Sequence, residues 1–245
     1  MDCSTAQVQR PKIKIRDRVP YILDFCHGKR VLHLGCAAAP YTQSELKDGT
    51  LLYELVERVA SVQYGIDRCA EGIHILKEMG YTNLATADVE RIGVSEPFGE
   101  VNFDVVLAGE VLEHLSNPGL FLDSVKSFLT TPSARLVLTA PNAYCAYRFV
   151  YSLLTRREAV DPDHVCYFSR STLLHLISKH GYVVEDFSFY STREYEKHLN
   201  HGRFKIFWWI DRLATWFHPV LAEGVMMTCK LRDVQEACVL AENHK

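Results

Sequence analysis

The sequence predicts a doubly wound α/β fold with a mainly parallel sheet. The first observation is that short apolar runs alternate with helical patterns from residue 30 to residue 181. The second is the apolar run at residues 31–34, which ends at Gly35 and leads through small residues to Pro40. A strand, a tight small-residue turn and a helix are typical of nucleotide-binding α/β units, because backbone N–H groups can approach a ligand there. Only one glycine of the dinucleotide fingerprint is present, so a plain strand-to-helix corner is the alternative.

Each strand is predicted from a short apolar run that stops at a polar or turn residue. The expected strands are residues 31–34, 60–66, 83–87, 103–108, 135–140, 182–189 and 225–231. Each helix is predicted from apolar residues three or four positions apart, with Gly80 as a C-terminal cap and Pro118 in a first turn. The expected helices are residues 19–26, 51–59, 71–79, 119–129 and 171–180, with a further helical stretch after Pro40.

The composition is that of a globular protein. A chain of 245 residues, 48% hydrophobic and 23% charged, suits one α/β domain. The net charge of −3 gives no basic field, which argues against nucleic acid as a partner. The eight cysteines form no Cys-x-x-Cys pair, so we expect free thiols in a reducing cytoplasm. We expect no signal peptide, and the longest apolar patch, residues 206–209, is too short to span a membrane.

Two segments lie outside the regular alternation of strands and helices. We expect residues 1–27 to form an N-terminal arm and helix, and residues 28–245 to form the main domain. The basic run at residues 10–18 is interpreted as a solvated arm or, alternatively, as an arm that closes over the active site. An aromatic insert at about residues 195–220, densest at 203–217, fits core packing, a lid or a partner surface.

Two acids follow neighbouring strands of the predicted sheet. Asp67 ends the second strand and Asp88 ends the third. A carboxylate at the first position suits the paired hydroxyls of a ribose, and one at the second suits an adenine amino group. Each acid alone also fits the commoner role of a helix N-cap. Both together, at the carboxyl edge of one sheet, favour a nucleotide site.

Six stretches of the sequence together resemble class I S-adenosylmethionine-dependent methyltransferases, especially those of the ubiquinone-biosynthesis O-methyltransferase type. They are residues 31–39, 64–67, 87–90, 103–115, 136–142 and 164–181. The resemblance implies a seven-stranded sheet in the order 3-2-1-4-5-7-6 with a reversed final strand, and S-adenosyl-L-methionine as the cofactor. The sequence departs from the family at His33, where an acid is usual, and at Ala37 and Ala39, where more glycine is usual.

The resemblance also assigns residues to the cofactor. Gly35 and its neighbours are expected to hold the methionine portion, and Asp67 the ribose. Asp88 and Val89 are expected at the adenine, and the turn at residues 108–110 beside the sulfonium. The full set expected at the cofactor is His33, Gly35, Cys36, Ala37, Asp67, Arg68, Asp88, Val89, Ala108, Gly109 and Glu110.

A Glu-x-x-Glu-His motif indicates a second site beside the cofactor. Spacings of three and four on a helix would bring Glu110, Glu113 and His114 onto nearby faces. Two carboxylates and an imidazole suit Mg²⁺ or Mn²⁺, with His164 as a fourth ligand from a later loop. A similar motif binds such an ion in metal-dependent relatives of the resembled family. The alternative is a fold-typical turn without metal, in which His114 or His164 is the catalytic base.

These features predict methyl transfer to a hydroxyl of a small molecule or glycan precursor. The tyrosine-rich segment at residues 144–157 is expected to line the acceptor pocket. One alternative is 2′-O-methylation of RNA, which the basic run at residues 10–18 keeps open. Another is a non-catalytic cofactor-binding regulator, which the alanines in the turn suggest. An NAD dehydrogenase fits least, because the turn lacks two glycines. The acceptor and the oligomeric state stay open.

Overall fold

A single sheet of eight strands organises the described part of the chain. The computed structural model describes residues 14–92, 97–99, 101–191 and 205–232. The strands are β1 (Ile15–Asp17), β2 (Arg30–Leu34), β3 (Val62–Asp67), β4 (Leu84–Thr86), β5 (Val105–Gly109), β6 (Arg135–Pro141), β7 (Tyr182–Ser191) and β8 (Gly224–Leu231). Their order is β1-β7-β8-β6-β5-β2-β3-β4. Only β8 runs antiparallel to its two neighbours, so the sheet is mainly parallel.

Helices connect most of these strands. Within the described ranges they are α1 (Arg18–Cys26), α2 (Thr42–Asp48), α3 (Leu52–Glu57), α4 (Ala70–Glu78), α5 (Pro118–Val125), α6 (Ala146–Thr155), α7 (Arg170–Lys179) and α8 (Lys205–Phe217). Asn117 caps α5, because its side chain accepts a hydrogen bond from the Leu120 amide at 3.0 Å. In the same ranges, no helix combines the length and apolar character needed to cross a bilayer.

The central strands are buried on both faces, as expected for a doubly wound fold. On one face, Leu32 and Val106 belong to the largest core, which α5 and α7 cover. On the other face, Val31 and Val105 pack with Ile22 of α1. Most side chains of these strands are apolar and buried, although His33 and Gln63 are buried polar residues within them.

The expected number of seven strands is wrong, since β1 adds an eighth at the edge next to β7. The order therefore differs from the expected one by this strand, while the other seven keep their expected relative order. The basic segment docks because Arg16 and Lys14 form ion pairs with Asp186 of β7. The Arg16 guanidinium also lies 4.6 Å from the centroid of the Tyr21 ring. Residues 14–18 thus belong to the fold, and residues 10–13 of the basic run lie outside the described residues.

Several element ends differ from the sequence-based expectation. The helix expected at residues 119–129 ends at Val125 and continues as a short 3₁₀ turn, Lys126–Phe128. The strand expected at residues 60–66 begins at Val62. The described part of the aromatic insert is α8 and the three residues after it, and residues 195–204 of the insert lie outside the described residues.

Candidate active site at the carboxyl edge of the sheet

The loop after β2 requires glycine at its first position. Gly35 has a φ of +70°, and a Cβ there would lie 2.6 Å from Cγ2 of Val111. Its amide donates to the Ile66 carbonyl oxygen at 2.8 Å. Cys36 and Ala37 follow as buried small residues. The loop is therefore held between the end of β3, through the Ile66 carbonyl oxygen, and the turn after β5, through Val111.

Asp67 fixes this loop through two backbone hydrogen bonds. Its Oδ2 accepts from the Ala37 amide at 2.9 Å, and its Oδ1 accepts from the Cys69 amide at 2.8 Å. The carboxylate thus connects the small-residue loop to the start of α4. This role is close to that of a helix N-cap, which the sequence left open for Asp67. Each oxygen keeps a second lone pair, so a ligand hydroxyl can still donate to it.

The residues expected at the adenine lie at the next loop. Asp88 is exposed, and its Oδ1 accepts from the Glu90 amide at 3.0 Å. Val89 is buried in the main core, whereas Arg68 is exposed. The carboxyl ends of β3 and β4 are adjacent, because Asp67 of β3 pairs in register with Thr86 of β4.

His33 is a buried neutral imidazole. Its Nδ1 accepts a long hydrogen bond from Gln63 Nε2 at 3.4 Å, and its ring stacks on Tyr53 with centroids 5.8 Å apart. Burial, together with the nearby positive charge of Arg18, lowers the pKa of His33 to about 3. The position at which the resembled family usually has an acid therefore carries no charge at neutral pH.

The turn after β5 holds a non-glycine residue in a left-handed conformation. Glu110 has a φ of +58°, which costs about 1 kcal/mol for a residue with a Cβ. Its amide donates to Oγ1 of Thr139 at 3.0 Å, and its carboxylate accepts from the Tyr190 hydroxyl. These two contacts hold the conformation, and Ala108, two residues earlier, is fully buried.

Arg18 places a positive charge beside the same turn. Its Nε donates to Oγ1 of Thr139 at 3.2 Å, and a Cβ at Gly109 would lie 3.0 Å from its Nη2. Its guanidinium lies 5.9 Å from the centroid of the Tyr190 ring. Sequence reasoning assigned neither Arg18 nor Tyr190 to the site. The available signal for Arg18 was the alternative interpretation of the basic run as a segment close to the active site.

Glu113, His114 and His164 converge at one point. One possible ligand atom from each lies within 4.8 Å of the others. Glu113 is fully buried, and neither carboxylate oxygen has a hydrogen-bond partner among the described residues. The loop that carries His164 is fixed here because the Val165 amide donates to the Glu113 carbonyl oxygen at 2.8 Å. Glu110, the fourth residue of the expected set, is not part of this group. Its carboxylate accepts a hydrogen bond from the Tyr190 hydroxyl and lies close enough to Glu113 to raise the pKa of Glu113 after burial does.

Hydrogen bonds orient both histidines of this cluster. His114 Nδ1 lies 3.2 Å from the Asp163 carbonyl oxygen, which can only accept, so Nδ1 donates this hydrogen bond and, in the neutral imidazole, Nε2 keeps the lone pair. His164 Nδ1 lies 3.1 Å from the Tyr167 hydroxyl. The two imidazole centroids are 4.6 Å apart with nearly perpendicular rings.

Burial also sets the protonation of the cluster. Burial, and then the nearby Glu110, raises the pKa of Glu113 to about 9. Burial, and then His114, lowers the pKa of His164. At neutral pH, with no cation bound, Glu113 therefore holds a proton and His164 is neutral. A divalent cation would displace the proton from Glu113 and supply the partner that its oxygens lack.

Comparison with known proteins shows the family of this chain. The family described as a methyltransferase domain matches residues 7–186, well over half of the chain. The chain belongs to the methyltransferase domain family. This confirms the resemblance inferred from the sequence, and the site described above lies at the sheet edge of this methyltransferase domain.

Two curated relatives of this methyltransferase domain are ubiquinone biosynthesis O-methyltransferases. The protein of Glaesserella parasuis is 25% identical over 142 residues, which is 54% of this chain and 56% of the relative. That of Nitrobacter winogradskyi is 30% identical over 113 residues, or 46% of this chain and 39% of the relative. The chain thus spans about half, or less, of the length of these relatives.

Solved structures share the fold of this methyltransferase domain. An S-adenosylmethionine-dependent methyltransferase from Mesorhizobium loti gives a TM-score of 0.53 at 13% identity, over 86% of this chain and 94% of that one. One from Archaeoglobus fulgidus gives 0.52 at 17%, over 86% and 90%. A small RNA methyltransferase gives 0.57 at 17%, over 88% of this chain and 25% of that one.

The segments expected near the acceptor form two helices of the methyltransferase domain. Residues 146–155 of the tyrosine-rich segment form α6, with Tyr147 and Tyr151 half-buried. On α8, Trp209 is 63% exposed, Trp216 74% and Phe217 70%. Core packing therefore does not account for these three aromatic side chains, and a lid or a partner surface remains open for α8.

Proposed function

We propose that this protein transfers a methyl group from S-adenosyl-L-methionine to a hydroxyl of a small molecule or glycan precursor. The observation that carries the proposal is the convergence of Glu113, His114 and His164 within 4.8 Å, next to the small-residue loop and the Glu110 turn. The relatives named as O-methyltransferases support the choice of oxygen as the acceptor atom.

In this proposal, the cofactor lies along the carboxyl edge. Gly35 and the small residues after it hold the methionine portion, and Asp67 accepts from the ribose hydroxyls through its free lone pairs. Asp88 and Val89 contact the adenine. The turn at residues 108–110 lies beside the sulfonium. The resemblance to the family implies these roles, and the position of the residues at adjoining strand ends supports them.

Arg18 adds a contact for the negative end of the cofactor. Its guanidinium lies beside Gly109 and Thr139, at the turn proposed to meet the sulfonium. A guanidinium pairs well with a carboxylate, because its donors match the two oxygens. We therefore assign Arg18 to the carboxylate of the methionine portion.

The transfer is a displacement at carbon. The acceptor oxygen forms a bond to the methyl carbon as the carbon–sulfur bond breaks, and S-adenosylhomocysteine leaves. Without a cation at the cluster, the hydroxyl proton passes to His114 Nε2, since Nδ1 faces the Asp163 carbonyl oxygen. With a cation there, the same Nε2 would be a ligand instead of the base. The other task of the protein is to align oxygen, carbon and sulfur and to exclude water.

The cluster also fits a divalent cation. Glu113 offers two buried oxygens without partners, and His114 and His164 add imidazole nitrogens. When bound there, a cation would lower the pKa of the acceptor hydroxyl. Two nitrogens and one carboxylate suit Mn²⁺ better than Mg²⁺, whereas the set that included Glu110 suited either ion.

Labelled methyl transfer tests the proposal. S-adenosylhomocysteine should bind in a calorimeter, and label from S-adenosylmethionine should appear on a hydroxyl in a panel of catechols and sugars. His114→Ala should lower the rate by about 100-fold with cofactor affinity unchanged. His74→Ala, on the exposed surface of α4, is the matched control. Binding of the cofactor without any transfer would favour the regulator alternative, and transfer to RNA alone would favour the RNA alternative.

A further inference from the structure

Arg148 of α6 is a half-buried cation with weak internal partners. Its Nη1 donates to the carbonyl oxygens of Asn142 and Glu223 over 3.3 and 3.5 Å, both long hydrogen bonds. Within the described ranges, no carboxylate forms an ion pair with it. Burial lowers the pKa of Arg148, and nearby groups, with Glu223 and Glu110 among the weaker ones, raise it. A guanidinium out of water normally needs a closer anionic partner.

Tyr167 connects Arg148 to the candidate active site. The guanidinium carbon lies 4.9 Å from the centroid of the Tyr167 ring. The Tyr167 hydroxyl lies 3.1 Å from His164 Nδ1, with ring centroids 5.4 Å apart. Tyr167 therefore contacts both Arg148 and the His114–His164 cluster.

We infer that Arg148 determines acceptor specificity by binding an anionic group, a carboxylate or a phosphate, on the methyl acceptor. The inference rests on the proposed function, since it places the acceptor hydroxyl at the His114–His164 cluster. Such an acceptor carries both a hydroxyl for the cluster and an anionic group for Arg148. Aromatic hydroxy acids, uronic acids and sugar phosphates meet this description.

A purely structural role for Arg148 explains less. A clamp on two backbone carbonyls needs no charge and uses one of the three nitrogens of the side chain. The planar fork instead matches a carboxylate or phosphate with two parallel hydrogen bonds. Such a bond also becomes stronger at a half-buried position, because water competes less there.

Matched ligand pairs test this inference on the full chain saturated with S-adenosylhomocysteine. The pairs are 3,4-dihydroxybenzoate with 3,4-dihydroxybenzamide, glucuronate with glucuronamide, and glucose 1-phosphate with glucose. In calorimetry, the acid of at least one pair should bind about ten-fold tighter than its neutral partner. Arg148→Gln should remove the preference. The pair that shows it identifies the source of the anion as aromatic acid, sugar acid or sugar phosphate.

Two further variants make the outcome decisive. Arg157→Gln, an exposed arginine just after the same helix, should keep the full preference. If Arg148→Gln fails to fold, Arg148→Lys keeps the charge but loses the fork, and it should reduce the preference by about three-fold or more. Equal binding within every pair, no binding of any acid, or a preference that survives in the folded Arg148 variants would overturn the inference.

The inference and the proposed function fail in different ways. Methyl transfer to neutral hydroxyls with no preference for acids would leave the proposed function standing and remove the role of Arg148. A preference for acids that depends on Arg148, without methyl transfer to any hydroxyl, would do the reverse.

Discussion

Two buried carboxylates at the carboxyl edge of the sheet are satisfied in opposite ways. Asp67, on the side proposed for the cofactor, accepts two backbone N–H groups at 2.9 and 2.8 Å. Glu113, on the side proposed for the acceptor, has no hydrogen-bond partner for either oxygen in the described part of the chain. A carboxylate that the backbone satisfies fixes a loop, whereas one without partners requires a proton or a cation. The cofactor side is therefore complete in itself, and the acceptor side is completed by what binds there.

The largest expected effect is a loss of methyl-transfer rate when the acceptor side alone is altered. Glu113→Gln keeps the size of the side chain but removes the negative charge that a cation would need. The rate of methyl transfer should fall by about 100-fold or more. The affinity for S-adenosylhomocysteine should stay within about two-fold, because Glu113 serves the acceptor. Steady-state kinetics and calorimetry measure the two quantities.

Glu78→Gln on exposed α4 is the control for this substitution. A fall in cofactor affinity as large as the fall in rate would mean that the two sides are not separate.

The next effect is a loss of cofactor affinity when the cofactor side is altered. Asp67→Ala leaves the Ala37 and Cys69 amides without their acceptor and frees the small-residue loop. Binding of S-adenosylhomocysteine should weaken by roughly 1–3 kcal/mol. That corresponds to about 5- to 150-fold in the dissociation constant, which calorimetry measures directly. Asp48→Ala, at the exposed end of α2, should bind as the wild type does. Unchanged affinity in a folded Asp67→Ala protein would remove Asp67 from the proposed site.

The smallest expected effect is a pH dependence of the stability of the fold, to which Glu113 contributes. Burial raises the pKa of Glu113 from its ordinary 4.5 to about 9 in the folded protein. Between these values the folded state holds a proton that the unfolded state releases, so the free energy of unfolding should fall as pH rises. Melting temperatures in chelator should therefore decline from pH 5 to pH 9 more steeply for the wild type than for Glu113→Gln. Parallel curves would show that Glu113 does not take up this proton.

Local signals in the sequence were sufficient for most of the sheet and for part of the site. The apolar runs predicted the seven strands β2 to β8. Asn117 with Pro118 marked the start of α5. Both features depend on neighbouring residues in the sequence. Gly35 could be identified for the same reason, since its turn follows directly from the strand before it.

Long-range contacts explain what the sequence did not predict. The strand β1 depends on Asp186, which lies 170 residues from Arg16. Tyr190 and Glu110 are 80 residues apart, so the sequence did not predict their hydrogen bond. Glu110 lies outside the metal-ligand group that the sequence predicted it to join. The left-handed backbone conformation of Glu110 could not be predicted, because the sequence has no glycine at this position. The roles of the cofactor residues and of the histidines stay predictions until they are measured.

The most direct test of the account compares chelated and Mn²⁺-loaded protein in one preparation. The rate of labelled methyl transfer to an acceptor hydroxyl and the affinity for S-adenosylhomocysteine are measured in both states. The account predicts that chelation lowers the rate by about ten-fold or more and that Mn²⁺ restores it. It also predicts that cofactor affinity stays within about two-fold, because Asp67 and its loop are already satisfied. Full activity in chelator, or a cofactor affinity that rises and falls with the cation, would contradict it.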